Sequence, residues 1–398
     1  MDKITELLTR GVVNIISDKD SLAKKLTTGE KLNIYLGIDP TATHIHLGHA
    51  VPLRKLQTFA KLGHHVKFLI GDFTALIGDT SDKDTERPQL TKEQIEENFQ
   101  TYKKQAEKVL DFSQIEIVYN SEWLSKLDFV TTVKLCRQFS LNDFVSRELI
   151  KKRLNNNQHI TLLEEIYPVM QGYDSYHMDT DLQIGGADQT FNMQAGRTLQ
   201  KNWRGKESFV MSTDYLVGTD GRKMSKSWGN AIWLDDTPED MYAKVMAIND
   251  ELIIQYYTLA TEISLEEIKS IETKLTNGEH PMSVKKNLAN TIVTELYSEQ
   301  KAQEAQNAFE KRVQQKEVPD EIEEVVYPEA FAALSITEVL VQLHLAQSIS
   351  EAKRLIQQKG VKINTKAVQD FGTLREYSSG NEIFLQVGKF KFRKIVIK

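Results

Sequence analysis

The sequence predicts an α/β protein with a parallel-sheet domain, then a helical domain, then a small basic α+β domain at the C-terminal end. Three observations predict it. From Leu32 to about Trp233, short apolar runs alternate with amphipathic stretches of helical spacing. From Pro238 to about Val313 the pattern turns helical and charged, with few glycines. From Ala333 to Lys398 there are 11 Lys and Arg against 5 Asp and Glu, a net of +6 on a chain whose total is −6.

The first strand is Lys31–Ile38 (KLNIYLGI), a near-continuous apolar run of the kind buried on both faces, and Val66–Ile70 (VKFLI) is the next. Between them Val51–Leu62 has helical spacing and ends on Gly63, which suits a left-handed cap. Strand, helix, strand at this spacing is a βαβ unit and implies parallel neighbours. Ile115–Tyr119 and Phe209–Met211 supply further strands. Glu317–Glu329 (EVPDEIEEVVYPE) is acidic, holds two prolines, lacks a period and reads as a linker. Beyond it Ser350 can cap a helix over Glu351–Lys359 that stops at Gly360, and VKIN and FLQVGKFKFRKIVIK read as strands. In the last run Lys389, Lys391 and Arg393 share one face, and Phe390 and Phe392 the other. The expected boundaries are 1–232 for the sheet domain with an inserted helical segment, 233–316 for the helical domain, 317–332 for the linker and 333–398 for the basic domain.

Composition narrows the class. With 398 residues, 40% hydrophobic and 27% charged, the chain is an ordinary globular protein large enough for several domains. No apolar stretch approaches the ~20 residues of a membrane helix, so no membrane partner is expected. Asp2, Glu6, Asp18 and Asp20 interrupt the first twenty residues, which suits neither a secretory signal nor a transit peptide. The single cysteine, Cys136, excludes an intramolecular disulfide framework and a cysteine-based zinc site; beside Val133 and Leu135 it reads as a small core residue. A cytoplasmic location is expected. The +6 tail leaves −12 on the first 332 residues, and a basic end on an acidic body suggests a polyanionic partner.

Chemistry concentrates in three strings. The first, Asp39–His49 (DPTATHIHLGH), lies between a strand and a helix, where backbone N–H groups and the helix dipole favour phosphate. His46 and His49 are three apart, so both face one way in a first helical turn, each able to donate to a phosphate oxygen. Gly48 removes a side chain where a flat base can approach the backbone. The second, Gly221–Ser227 (GRKMSKS), is a polar loop whose Lys223 and Lys226 are flexible point charges suited to a triphosphate. The third pairs Tyr167–Asp174 (YPVMQGYD) with Leu182–Gln189 (LQIGGADQ). Tyr167, Gln171 and Asp174 share one helix face while Ile166, Val169 and Met170 interleave as core; a polar stripe placed there needs a polar ligand. Alone, the histidines would read as a helix cap and the lysines as a solvated loop. Their coincidence favours the functional reading.

Taken together, these strings resemble the class I aminoacyl-tRNA synthetases. LGxDPT, GDFTALIGD, YPxxQGYD and GGxDQ narrow the resemblance to the bacterial tyrosyl-tRNA synthetases, from about Leu32 to Asp250. The tail resembles the small RNA-binding fold shared with a ribosomal small-subunit protein. The resemblance implies a Rossmann-like catalytic domain, an anticodon-side helical domain and a C-terminal RNA-binding domain. It also implies ATP, L-tyrosine and tRNA(Tyr) as substrates, Mg²⁺ carried with the ATP, and a homodimer. By position, Tyr35 and Asp174 would meet the substrate phenol; Asp79, Tyr167 and Gln171 its ammonium; and Gln189 its carboxylate. Asp39, Gly186 and Asp188 would line substrate and ribose, with Gly37 and Gly48 also in the ATP site. Thr41, His46, His49, Lys223 and Lys226 would handle the phosphates, together with Lys83 and Arg87 of a loop that departs from type, with Asp82 for glycine and Thr80 for proline. Lys353, Arg354, Lys389, Lys391 and Arg393 would meet tRNA. A tryptophanyl-tRNA synthetase shares the fold and both signatures, but Gly172-Tyr173, Tyr35 and the basic tail favour tyrosine. A non-catalytic RNA-binding paralogue is the other alternative.

Overall fold

A computed structural model describes residues 2–78, 90–225, 228–311, 324–346, 348–364, 366–377, 382–388 and 391–397. The chain forms two compact units, Met1–Ala305 and Gln306–Lys398.

The first unit is built on a six-stranded sheet of β1 (Val12–Ile16), β2 (Asn33–Ile38), β3 (His65–Ile70), β4 (Glu116–Tyr119), β5 (Leu182–Gly186) and β6 (Phe209–Thr213), in the order β1-β6-β5-β2-β3-β4. All neighbours are parallel except β1, which runs antiparallel along β6. The chain leaves β2 for β3 and β4 on one side and later returns to β5 and β6 on the other. The carboxyl ends of β2 and β5 therefore flank a topological switch point, where open α/β sheets bind ligands.

The helix between β2 and β3 runs Leu47–Lys61, starting four residues before the expected Val51. This places Gly48 and His49 inside its first turn. Leu53, Leu56 and Phe59 bury its inner face, and Pro52, inside the helix, offers no N–H to the Gly48 carbonyl. Gly63 closes it with φ +77° and donates to Ala60 O at 2.8 Å. Two further helices, Leu162–His177 and Thr190–Arg204, pack together through glycine. A Cβ on Gly172 would lie 3.1 Å from the Ala195 carbonyl, and one on Gly196 2.6 Å from Ser175 Cβ. Gly172 thus serves helix packing, a role the sequence reading did not give it.

The helical stretch contains Pro238–Met246, Ile253–Ala260, Leu265–Thr276, Pro281–Leu296 and Glu299–Phe309. Arg10 ties the second of these to the N-terminal segment by donating to the carbonyls of Tyr257, Thr258, Thr261 and Ile263 at 2.6–3.0 Å, groups that a helix end leaves unsatisfied. Cys136, expected in the core, is exposed at the end of the Phe129–Cys136 helix, which buries Leu135 instead.

The second unit has a five-stranded sheet of β7 (Glu324–Tyr327), β8 (Val361–Ile363), β9 (Lys366–Ala367), β10 (Glu382–Val387) and β11 (Lys391–Ile397), in the order β7-β11-β10-β8-β9. Its core gathers Ile336, Val339, Leu340, Ala352, Ile356, Ile363, Leu385 and Ile395. Three expectations are corrected here. Residues 324–327, assigned to the linker, form β7 and pair parallel with β11, so this sheet begins before Ala333. Ser348, not Ser350, caps the Ile349–Gln357 helix, accepting from Glu351 N at 3.2 Å. The final run is a hairpin: Gly388 has φ +64°, and β10 and β11 pair antiparallel. Lys389 lies outside the described residues.

Candidate active site

A cleft of about 830 Å³ opens at the carboxyl ends of β2 and β5. Tyr35, Gly37, Asp39, Thr41, His46, Gly48, His49, Tyr167, Gln171, Asp174, Gly186, Asp188, Gln189 and Lys223 all line it. The expected positions in the described part of the sheet domain thus converge on one cavity. Asp79, Lys83, Arg87 and Lys226 lie outside the described residues.

At the floor, Asp174 is 2% exposed. Trp123 Nε1 donates to its Oδ1 at 2.7 Å, and Asn120 Nδ2 to its Oδ2 at 3.2 Å. Burial pushes the Asp174 carboxyl up to about 8; the bonds from Trp123 and Asn120 oppose this, and Asp39 and Asp72 add to it. Beside it the Tyr35 hydroxyl is buried near Ser175 without a well-formed hydrogen bond, and burial together with the Asp174 charge raises its pKa well above the usual phenol range.

A hydrogen-bonded chain links this floor to Asp39. Asn120 Nδ2 also donates to Thr74 Oγ1 at 3.0 Å, Thr74 Oγ1 to Asp39 Oδ1 at 2.8 Å, and the Tyr167 hydroxyl to Asp39 Oδ2 at 2.9 Å. Gly71 is required for this approach, since a Cβ there would fall 2.0 Å from Asp39 Oδ1. Sequence reasoning missed Thr74, Asn120 and Trp123. Thr74 sits within GDFTALIGD, and Asn120 directly follows β4, the end of a parallel strand being a place to look. Trp123 gave no signal.

On the opposite wall, His46 stands at the N-terminus of the Leu47–Lys61 helix, and its backbone N–H donates to His49 Nδ1 at 3.2 Å. The two rings lie 3.9 Å apart between centroids. A Cβ on Gly48 would sit 2.9 Å from His46 Nδ1, so this glycine makes room for a histidine ring. Burial, with His49 and Lys223 nearby, lowers His46 to about 2; burial lowers His49 to about 4, the Asp188 charge opposing and the Lys223 charge adding. Both imidazoles are therefore neutral near pH 7. Leu47 N donates to Ile232 O and Leu234 N to Ile45 O, each at 2.9 Å, anchoring this turn to the segment after the lysine loop.

The loop is a short hairpin. Gly221 has φ +85°, Gly218 N donates to Arg222 O at 2.7 Å, and Val217 bridges Lys223. Asn230, 2% exposed and also missed, staples it: its Nδ2 donates to Asp220 Oδ1 at 2.7 Å and Lys223 O at 3.2 Å, and its Oδ1 accepts from Ser225 N at 2.9 Å. Lys223 Nζ lies 3.2 Å from Asp188 Oδ2.

In the second unit, Lys353 and Arg354 are exposed on the Ile349–Gln357 helix, with Lys353 Nζ 5.6 Å from the Phe371 ring centroid. Lys391 is exposed and Arg393 half-buried; by strand alternation their face continues into the core residues Ile395 and Ile397.

The chain matches the family described as tRNA synthetases class I (W and Y) over residues 27–314, and the S4 domain over residues 336–373. It is 41% identical to the tyrosine–tRNA ligase of Haemophilus ducreyi, covering 100% of this chain and 99% of that one. To the tyrosine–tRNA ligase of Carboxydothermus hydrogenoformans it is 40% identical over 99% of this chain and 97% of that one. Among solved structures it is similar to tyrosyl-tRNA synthetase complexed with L-tyrosine from Archaeoglobus fulgidus, with TM-score 0.61 and 25% identity, covering 77% of this chain and 100% of that one. Both relatives, matched over nearly the full length of each chain, are tyrosine–tRNA ligases. The chain belongs to the class I tRNA synthetases, and within them to the tyrosine–tRNA ligases.

Proposed function

We propose that the cleft activates L-tyrosine with ATP and passes the tyrosyl group to the 3′ end of tRNA(Tyr). One observation carries this reading: a single cavity joins a buried Asp174–Tyr35 floor to a wall of two neutral histidines and Lys223.

The phenol of the substrate meets Asp174 and Tyr35, where a hydroxyl satisfies buried polar groups that a plain phenyl ring leaves unpaired. Tyr167, Gln171 and, from the sequence, Asp79 hold the ammonium group, and Gln189 the carboxylate. Asp39, Gly186 and Asp188 line substrate and ribose, and Gly37 and Gly48 border the nucleotide. The tyrosine carboxylate, already ionised, attacks the α-phosphorus in line. A carboxylate O–P bond forms as the bond to pyrophosphate breaks. Thr41, His46, His49 and Lys223, with Lys226, Lys83 and Arg87 from the sequence, stabilise charge on the leaving pyrophosphate. A neutral imidazole serves here as a hydrogen-bond donor and need not change protonation. A terminal ribose hydroxyl of tRNA then attacks the tyrosyl carbonyl and releases AMP.

Magnesium comes with the ATP phosphates. The S4 domain, with Lys353, Arg354, Lys391, Arg393 and, from the sequence, Lys389, binds tRNA phosphates. A cytoplasmic homodimer is part of this reading. Support for a second copy comes from large apolar side chains exposed on three helices, Phe129 (82%), Leu141 (64%) and Leu162 (73%). Pyrophosphate exchange with tyrosine, tryptophan and phenylalanine tests the function. Exchange with tyrosine alone is expected; exchange with tryptophan instead would overturn it.

A further inference from the structure

We propose that Tyr215 and Trp228 form a stacking platform at the rim of the cleft for the unpaired 3′-terminal bases of the tRNA. This rests on the functional reading above. Most neighbouring large apolar residues of the segment are buried: Phe209, Val210, Met211, Leu216, Met224, Ile232 and Leu234 are each less than 5% exposed, while Val217 and Trp233 are half-buried. Tyr215 is 50% exposed and Trp228 49%, and both border the cleft. The fold therefore leaves two aromatic faces in water beside the site while filling the interior around them.

Each ring has its own cation. Arg222 and Lys223 are consecutive in the hairpin. The Arg222 guanidinium lies 4.7 Å from the Trp228 ring centroid, and Lys223 Nζ 5.7 Å from that of Tyr215. Arg222 is also held in place, donating to Asp220 Oδ2 through Nε at 2.8 Å and Nη2 at 2.5 Å. The Arg222 guanidinium lies over one face of the half-exposed Trp228 ring, and a ring held in this way can stack a base on its other face without regard to base identity, because every base has a π-face.

Position selects the occupant. The phosphate-directed histidines and the Lys223–Asp188 pair lie within the cleft, so the nucleotide of ATP is engaged there. A tRNA ribose that is to reach the adenylate must pass the rim from solvent, and only an unpaired strand is narrow enough to follow. Stacking the bases behind that ribose fixes the strand as it enters.

The test compares Trp228→Ala, Trp228→Phe and Tyr215→Ala with the wild-type chain in two assays. Tyrosine-dependent pyrophosphate exchange reports adenylate formation. Single-turnover transfer from preformed tyrosyl-adenylate to tRNA(Tyr) reports the second step. Exchange is expected to stay within about twofold in all three variants, which also shows that they fold. Transfer should fall roughly tenfold to a hundredfold in the alanine variants, the range that loss of base stacking produces, and recover in Trp228→Phe. Unchanged transfer in the alanine variants would overturn the platform. A parallel loss of exchange with raised KM for ATP would assign the rings to the ATP base and overturn it equally. Absence of exchange in the wild-type chain would refute the functional reading itself, a result distinct from either.

Discussion

The indole N–H of Trp123 donates to the carboxylate of Asp174 at 2.7 Å, making Trp123 the closest donor to the carboxyl at the cleft floor. This bond and the one from Asn120 pull the Asp174 pKa down against burial, which nonetheless holds it near 8. Trp123→Phe removes one of the two, so the pKa should rise further and the carboxyl lose its fixed orientation. The ratio of kcat/KM for tyrosine over phenylalanine in pyrophosphate exchange should fall roughly three- to tenfold, the value of one neutral hydrogen bond. An unchanged ratio would detach Trp123 from specificity.

The same carboxyl sets a pH dependence. Its folded pKa lies above the ordinary 3.8, so the folded state binds the proton more tightly than the unfolded one between those values. Its contribution to stability is complete below pH 4 and is lost as pH rises toward 8. Thermal melts of the ligand-free protein should show Asp174→Asn losing less stability than wild type between pH 5 and 8. Parallel curves would show that Asp174 does not titrate in that window.

Tyr35→Phe separates binding from folding. The Tyr35 hydroxyl is buried without a well-formed hydrogen bond, so its removal should leave Tm unchanged or slightly higher. Tyrosine affinity should nevertheless fall about three- to tenfold, the worth of one neutral hydrogen bond. Equal affinity measured by calorimetry would place the phenol elsewhere.

His46→Ala should lower the rate of adenylate formation by about a hundredfold, near 3 kcal/mol, as expected for a donor used mainly in the transition state. Tyrosine affinity without ATP should hold. Because His46 and His49 sit near 2 and 4, neither titrates between pH 5 and 8, so variant and wild type should share one pH profile in that range, offset in height. Both depressed values also mean that the neutral pair favours folding above pH 6.5, a contribution lost as pH falls toward 4. An inflection near 6.5 that disappears in His46→Ala would contradict this.

Asn230→Ala should loosen the lysine hairpin. Two backbone groups lose their side-chain partner and Asp220 loses one of its two, the bond that chiefly holds it near 2. The kcat of exchange should drop about tenfold with KM for tyrosine unchanged, because the floor at Asp174 is remote from the hairpin in the chain and separately braced. Equal losses in both parameters would indicate a wider collapse.

The strands of the parallel sheet were legible because β2 and β3 are apolar on both faces, and the motifs placed every described site position of that domain in one cleft. What escaped is physical. Thr74, Asn120 and Trp123 act on other side chains, and nothing in their local spacing encodes a partner 35–54 residues away. The Ser348 cap was readable: Glu351 stands three residues on, the spacing of a capping box, whereas Ser350 lies within the first turn. Strand β7 was hidden by acidic flanks and Pro328, and it is held by its pairing with β11 and by Val325 and Tyr327 packing on the core of the second unit. Gly388 marks the hairpin that the run of alternating lysine and phenylalanine disguised.

Where β7 begins decides how the last experiment is built. A cut after Tyr327 or Glu329 would leave a stray strand with Val325 uncovered, so the truncation should end at Lys311, past the Glu299–Phe309 helix in which the first compact unit ends at Ala305. That protein retains the whole cleft and should form tyrosyl-adenylate at close to the full-length rate, since domain boundaries tolerate such cuts. It loses the +6 carried from Ala333 onward, including exposed Lys353, Arg354 and Lys391, along with a net of −4 over residues 312–332. Each phosphate contact removed should weaken tRNA binding and reduce the slope of log affinity against log salt by about 1. Charging of tRNA(Tyr) should therefore fall severely at 150 mM salt and less at low salt. If the truncated protein instead binds tRNA with wild-type affinity and an unchanged salt slope, the cations of the second unit serve only its solubility, and the RNA-binding surface belongs to the first.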